Sequence, residues 1–243
     1  MIALEARGIS KELRASWRHA PAMVVRDVCF DVARGEALGL LGPNGAGKTT
    51  TIQCLLGILR PTRGEALLFG RGATESEARR RVGYLPEAFD APAHHTARSL
   101  LTFWAALSGV SPENRVRRIV EVLNRQSIGG LADRPVSTFS KGQLQRLGLA
   151  QAVLHEPDLV ILDEPTANLD PVGRKEVSDL VRDLKKQGKA VLVSSHILSE
   201  IESVCDRVAI LDAGAVVRSA PLAELCATES LESAFLRAIG RAS

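Results

Sequence analysis

Eight consecutive residues, Gly42-Pro43-Asn44-Gly45-Ala46-Gly47-Lys48-Thr49, satisfy the pattern G-x-x-x-x-G-K-[ST] in full. Glycines at these intervals let the backbone turn so that successive N–H groups converge on an anion. A helix starting near Lys48 adds the positive end of its dipole. This is chemistry for the phosphate tail of a nucleotide: Lys48 reaches the β- and γ-phosphates, the Thr49 hydroxyl holds Mg²⁺, and Thr50 belongs to the same binding set. A second polar pair, Asp163-Glu164, closes the apolar run Leu159-Val160-Ile161-Leu162. Carboxylates at the C-terminal edge of a buried strand sit where ligands of open α/β sheets bind. Asp163 is placed to hold Mg²⁺ through its water shell, and Glu164 to orient or deprotonate an attacking water. Alone, such a pair reads as a solvated turn; beside a phosphate cradle it reads as the hydrolytic half of the same site.

Elements must position these groups. Ala37-Leu38-Gly39-Leu40-Leu41, Leu159–Leu162, Ala190–Val193 and Val208–Leu211 are short apolar runs without polar alternation. They suit parallel strands covered on both faces. Between them, Ile52, Leu55, Leu56 and Leu59, and again Val177, Leu180, Val181 and Leu184, recur at the spacing of a helix face. Alternating strands and helices imply an α/β core. Val24 to Ala33 alternates more and suits an antiparallel strand at the core margin. Residues 88–138 carry no buried-strand run, only helical stretches around 99–108 and 112–126, the second with Val116, Ile119, Val120 and Leu123 on one face. The expected organisation is one domain over residues 1–243, with residues 1–87 and 144–243 as the core and residues 88–143 as an inserted helical subdomain. Leu231 to Ile239 is amphipathic and expected to pack back on the core.

Composition narrows the class. With 45% apolar and 24% charged residues the chain is an ordinary globular protein, and its net charge of +3 gives no support to a nucleic-acid partner. Cys29, Cys54, Cys205 and Cys226 show no paired spacing and read as small core hydrophobes in a reducing compartment. His94-His95 reads as a loop pair, and Arg79-Arg80-Arg81 as a solvated helix end. The N-terminal residues lack the pattern of a signal peptide. No apolar run approaches the roughly 20 residues of a membrane-spanning helix. A cytoplasmic protein is expected, peripheral at a membrane only through a partner.

With the cradle and the Asp163-Glu164 pair in place, nearly the whole chain resembles the nucleotide-binding domain of the ATP-binding-cassette family. The resemblance implies a P-loop NTPase (RecA-like) α/β fold with an antiparallel margin. Phe139-Ser140-Lys141-Gly142-Gln143 stands where that family carries its signature Leu-Ser-Gly-Gly-Gln. The resemblance implies that Ser140, Lys141, Gly142 and Gln143 contact the γ-phosphate bound to a second subunit. A serine hydroxyl at a helix start can equally be a simple cap. Ala167-Asn168-Leu169-Asp170 resembles the D-loop, His196 the switch histidine, and Tyr84-Leu85-Pro86-Glu87 the Q-loop, where Glu87 would contact Mg²⁺. Trp17, 25 residues before Gly42, is the candidate to stack on adenine. Glu87 and Lys141 depart from the usual glutamine and glycine, and both departures resemble the ABC-2 exporter type. Tyr84, Phe89, Phe103 and Trp104 mark a groove for the membrane partner, or ordinary core packing of the insert. The resemblance thus implies ATP and Mg²⁺ as ligands, a homodimer or heterodimer of ATPase subunits, and a separate transmembrane permease. The alternative is a soluble cassette ATPase of an assembly complex, such as iron–sulfur cluster assembly, that moves no solute.

Overall fold

The computed structural model of the chain describes residues 1–14, 20–227 and 229–240. Two long strands, β1 (Ile2–Leu13) and β2 (Ala22–Ala33), precede the short buried strand β3 (Ala37–Leu41) and helix α1 (Lys48–Leu55). Next come β4 (Arg63–Leu68), β5 (Arg71–Gly72), α2 (Ser76–Arg79) and β6 (Val82–Leu85). Helices α3 (Ala97–Leu107), α4 (Pro112–Arg125) and α5 (Lys141–Val153) follow in succession. Alternation resumes with β7 (Leu159–Asp163), α6 (Pro171–Lys186), β8 (Ala190–Ser195), α7 (Leu198–Val204) and β9 (Arg207–Asp212). Strand β10 (Ala215–Pro221) and helices α8 (Leu222–Leu225) and α9 (Leu231–Ala238) come last.

The strands form a four-stranded sheet, β2-β1-β4-β5, and a six-stranded sheet, β10-β9-β3-β8-β7-β6. The smaller sheet is antiparallel throughout. In the larger one, β9 through β6 are parallel and β10 turns back antiparallel on β9. Successive side chains of a strand point to opposite faces, and here both faces are dry. Leu38, Leu40, Leu159, Ile161, Leu192 and Leu211 face α1 and the antiparallel sheet. Val160, Leu162, Val191, Val193, Val208 and Ile210 face the helices on the other side. Each of these side chains contributes roughly 2 kcal/mol by leaving water. Helix α1, at 8 residues, is too short to be stable in isolation. Its Ile52, Cys54 and Leu55 are buried between the two sheets, and that burial holds it under the phosphate loop.

Three expectations need correction. On α4 the buried face is Arg118, Ile119, Val122 and Leu123, while Val116 and Val120 are exposed. The cause is Arg118: its Nε donates to the Leu154 carbonyl at 3.2 Å and its Nη2 to Val153 at 3.1 Å. Those carbonyls end α5 and need donors, so a buried arginine stem takes a place that apolar spacing gave to valine. Arg79 and Arg80 are exposed as expected, but Arg81, though partly exposed, is held by two distant partners. It pairs with Asp158 at 2.8 Å and its guanidinium lies 3.9 Å over the Phe69 ring. Of the four cysteines, Cys54 and Cys205 are buried, whereas Cys29 and Cys226 are exposed. Helix α9 does pack inward, burying Leu231 and Ala234.

Gly83 of β6 shows how tightly α5 lies on the sheet. A Cβ at that position would sit 1.8 Å from the Ala152 carbonyl oxygen. Gly83→Ala forces the helix end off the strand and is expected to cost about 2 kcal/mol, read as a lower urea midpoint in equilibrium unfolding.

Candidate functional site

Strand β3 delivers the loop Gly42–Gly47 to the C-terminal edge of the parallel sheet, and α1 begins at Lys48. Gly47 caps that helix at φ 101°, a left-handed conformation that glycine adopts without strain. A Cβ there would also lie 2.9 Å from the Val24 carbonyl oxygen. The loop is braced from below, because Gly214 N–H donates to the Ala46 carbonyl at 3.0 Å. It walls a cavity of about 400 Å³ lined by Val24, Pro43 through Thr50, Glu87 and Glu164. Val24 is a lining residue that the sequence pattern did not mark; it is an apolar strand residue with no motif around it.

Inside the cradle the Lys48 ammonium donates to the Gly42 carbonyl at 2.8 Å and lies 3.3 Å from Glu164 Oε1. The other oxygen of that carboxylate, Oε2, is 2.9 Å from His196 Nδ1. Three residues drawn from three separate segments of the sequence therefore form one chain of contacts. Strand order is the reason: β8 lies between β3 and β7, so the phosphate loop, the turn after Ser195 and the Asp163-Glu164 end open on the same edge. Glu164 itself has φ 49°, a left-handed conformation that costs a non-glycine residue about 1–2 kcal/mol. It is held there by Ser194, whose carbonyl and hydroxyl accept from the Glu164 N–H at 3.2 and 3.0 Å.

The same Ser194 hydroxyl donates to Asp163 Oδ1 at 2.5 Å. Ser194 was missed in the sequence, although two adjacent serines ending a buried apolar strand, just before His196, were the available signal. Asp163 Oδ2 is buried without a hydrogen-bond partner. Burial pushes the Asp163 carboxyl above the usual carboxylate range; the hydroxyls of Ser194 and Thr49 offset this in part, and the charges of Glu87 and Glu164 add to it. Burial, with help from Asp163 and Glu87, likewise pushes the Tyr84 phenol up to about 12, so it stays neutral. Thr49 Oγ1 donates to Glu87 Oε2 at 3.4 Å. An orphaned carboxylate oxygen, a hydroxyl and a second carboxylate are hard oxygen donors that fit Mg²⁺. Among the described residues no group of three His, Cys, Asp or Glu side chains forms a metal cage.

The signature-like segment lies elsewhere. Ser140 caps α5: its Oγ accepts from Gln143 N–H at 3.2 Å, while Gln143 Oε1 accepts from Ser140 N–H at 2.9 Å. Ser140 and Lys141 are exposed. With Gly142, Gln143, Arg146, Asn168, Leu169 and Asp170 they line a cavity of about 500 Å³, which shares no residue with the cradle. Asp170 caps α6, its Oδ1 accepting from Gly173 N–H at 2.8 Å. The segments expected to serve as signature and D-loop thus meet each other, apart from the phosphate loop of the same chain. Trp17 lies outside the described residues. Of the four aromatics, Phe89 and Trp104 meet edge-on at 5.9 Å. With Tyr84 and Leu107 they line a groove of about 860 Å³, whereas Phe103 is exposed and lies outside that lining.

A glycine-rich phosphate loop between strand and helix, with a buried Asp and a Glu on the next-but-one strand of a parallel sheet, defines a P-loop NTPase domain. The chain belongs to the ABC transporter family: the model of that family matches residues 25–167. Among curated relatives, YxlF of Bacillus subtilis, an ABC transporter ATP-binding protein, is 45% identical over 215 residues, covering 88% of this chain and 71% of its own. The bacitracin transport ATP-binding protein BcrA of Bacillus licheniformis is 41% identical over 199 residues, 81% of this chain and 64% of its own. The chain spans the same 64% of ABC transporter ATP-binding proteins from Synechocystis and Nostoc. A solved structure of the ATP binding subunit of an ABC transporter superposes with a TM-score of 0.88 at 30% identity, covering 97% of this chain and 99% of the other.

Asp163 carries a prediction. Its raised folded-state pKa means the protonated form is favoured on folding, so stability is full below the unfolded value of 3.8 and is lost as pH rises through the folded value. Asp163→Asn removes the buried charge and is expected to raise the nucleotide-free Tm at pH 7 by about 3 °C, the shift of roughly 1 kcal/mol in a chain of this size. The gain should shrink as the pH falls toward 4, and calorimetry across that range checks it.

Proposed function

We propose that the chain binds ATP with Mg²⁺ in the Lys48 cradle, hydrolyses it, and drives a separate transmembrane permease, in export. The observation that carries this reading is the unbroken line from the Gly42 carbonyl through Lys48 and Glu164 to His196. Phosphate oxygens entering the cradle compete with Glu164 for the Lys48 ammonium. The released carboxylate is then free to take a proton from water as that water attacks the γ-phosphorus and the bond to the bridging oxygen of the β-phosphate breaks, ADP leaving, while His196 fixes the orientation of the carboxylate. Gly42, Pro43, Asn44, Gly45, Ala46, Gly47 and Thr50 form the binding walls. Thr49, Asp163 and Glu87 would hold Mg²⁺, which supplies neutralisation of phosphate charge when bound.

The second cavity supports pairing. Ser140, Lys141, Gly142 and Gln143 stand at an exposed helix start, suited to an anion presented from outside the chain. A head-to-tail pair of ATPase subunits, identical or different, brings that surface and Asp170 against the partner's triphosphate. The pair closes because the triphosphate charge is neutralised only when both surfaces meet. The groove at Tyr84, Phe89 and Trp104 offers the permease an apolar seat beside Glu87, so movement at the Mg²⁺ site and movement at the groove share one segment. No helix among the described residues is long and apolar enough to cross a membrane. The likeness to BcrA supports transport, and Glu87 and Lys141 support the exporter subtype.

Glu164→Gln is expected to lower steady-state ATP hydrolysis by about a hundredfold or more while preserving nucleotide binding. ATP should then shift the variant to a dimer in size-exclusion chromatography. Normal turnover in that variant would remove Glu164 from the mechanism. Glu87→Gln keeps an oxygen for Thr49 and for the cation, and hydrolysis should stay within about fivefold of the parent. A collapse of turnover in Glu87→Gln would instead make the negative charge essential.

A further inference from the structure

Glu200 is a carboxylate that neither the phosphate cradle nor the helix start at Ser140 uses. It lies on α7, where its Oε2 accepts from Thr166 Oγ1 at 2.7 Å and from Ser195 Oγ at 3.1 Å. Thr166 and Ser195 are both buried. Its other oxygen, Oε1, is buried without a hydrogen bond and lies 3.8 Å from the Arg174 guanidinium. A half-satisfied carboxylate at the base of a functional edge is costly to keep, which directs attention to what it joins.

The two hydroxyls belong to the two segments that carry the hydrolytic pair. Thr166 stands two residues after Glu164, and Ser195 immediately precedes His196. The Ser195 hydroxyl also accepts from the Ile197 N–H at 2.9 Å, so it pins the turn on both sides of His196. On the far side of Thr166, Arg174 Nε donates to the Leu169 carbonyl at 3.3 Å, within the segment that lines the Ser140 cavity. Gln145 of α5 holds the intervening backbone, its Nε2 donating to the Pro165 carbonyl at 3.0 Å.

We propose that Glu200 is a positioning residue: one carboxylate oxygen clamps the chain after Glu164 to the chain before His196, and so sets the contact between those two side chains. The inference rests on the reading of Glu164 and His196 as the hydrolytic pair. Glu164 has a left-handed backbone and His196 lies in a turn, so neither is fixed by a regular ladder where its side chain begins. Ser194 fixes the Glu164 N–H from the strand side; Glu200 fixes both segments from the helix side. Removing its oxygen leaves two buried hydroxyls without their acceptor, and the two turns lose their common anchor.

The test uses the full chain with Glu200→Ala, Glu200→Gln and Thr166→Val. The dissociation constant of ATP, kcat, Tm and the NMR signal of the His196 ring are measured in each. Glu200→Ala is expected to lower kcat about tenfold or more while the ATP dissociation constant stays within about twofold, since the phosphate loop and Lys48 are untouched. The His196 ring signal should move toward its position in Glu164→Ala, where the contact is gone. Glu200→Gln retains an oxygen that accepts both hydroxyls and should restore kcat and the ring signal to near the parent. Thr166→Val removes one donor, keeps the fold if Glu200→Ala does not, and should give an intermediate loss with unchanged nucleotide affinity. An unmoved His196 signal in Glu200→Ala, or in Thr166→Val should the former not fold, overturns the proposal, as does a Glu200→Gln variant no better than Glu200→Ala. The ring signal reports position whether or not Glu164 is the base. Normal hydrolysis in Glu164→Gln with a displaced ring in Glu200→Ala would overturn the hydrolytic reading and leave the clamp standing.

Discussion

Lys48 and Glu164 lie 3.3 Å apart with almost none of either side chain exposed, in a site whose other nearby charges, Asp163 and Glu87, are both negative. The attraction of such a pair is roughly 4 kcal/mol at an effective dielectric near 20, while desolvation costs several kcal/mol for each ion. The contact is therefore no net stabiliser. Its value lies in being exchangeable. In the proposed mechanism a ligand carrying concentrated negative charge would offer Lys48 a stronger partner and release the carboxylate when a proton acceptor is needed. The excess of carboxylates then makes the site a poor home for a bare anion and a good one for an anion that arrives with a cation.

That balance is set by the sheet. Parallel pairing puts Asp163 opposite Ser194 and Leu41 opposite Ser195, so three strand ends finish level with one another. Each strand then breaks differently: β3 into a glycine turn, β7 into a left-handed residue, β8 into the turn carrying His196. Only a sheet covered on both faces can hold three such departures side by side, because no strand can tilt to relieve one of them without exposing apolar side chains. The core at Leu162 and Val193, on the strands that end at Asp163 and Ser195, thus fixes the spacing of the groups at those ends.

Much of this was legible in the residues. The phosphate loop, the strands that do not alternate and the Asp163-Glu164 end follow from patterns with a local cause, and the structure places them as expected. What stayed hidden depends on contacts between distant segments. Ser194, Gln145 and Glu200 act through partners 20 to 34 positions away, and a single polar residue on a helix or strand carries no mark of such a partner. The α4 face was misread for the same reason: apolar periodicity counts Val116 and Val120, but the end of α5 needed donors, and Arg118 supplied them. Arg81 repeats the lesson: its sequence neighbours mark a solvated helix end, while Asp158 and Phe69, distant in sequence, partly cover it. Periodicity reports what water rejects; it is silent on what buried carbonyls demand.

Ser140 caps α5, and that role leaves room for the anion contact proposed for it. In the capping box the hydroxyl oxygen accepts a hydrogen bond from the Gln143 N–H, and that uses a lone pair, not the proton. A serine hydroxyl has one proton to donate and two lone pairs to accept with, so a capped Ser140 can still donate outward to an anion. The cap in fact makes it a better donor site, because it fixes the side chain at the positive end of α5 and removes the rotamer entropy that binding would otherwise cost. Lys141, exposed beside it, adds a full charge where a glycine would add only an N–H. The segment is therefore stable as it stands in one chain, and the proposed contact with a phosphate borne by another would need no rearrangement of the cap.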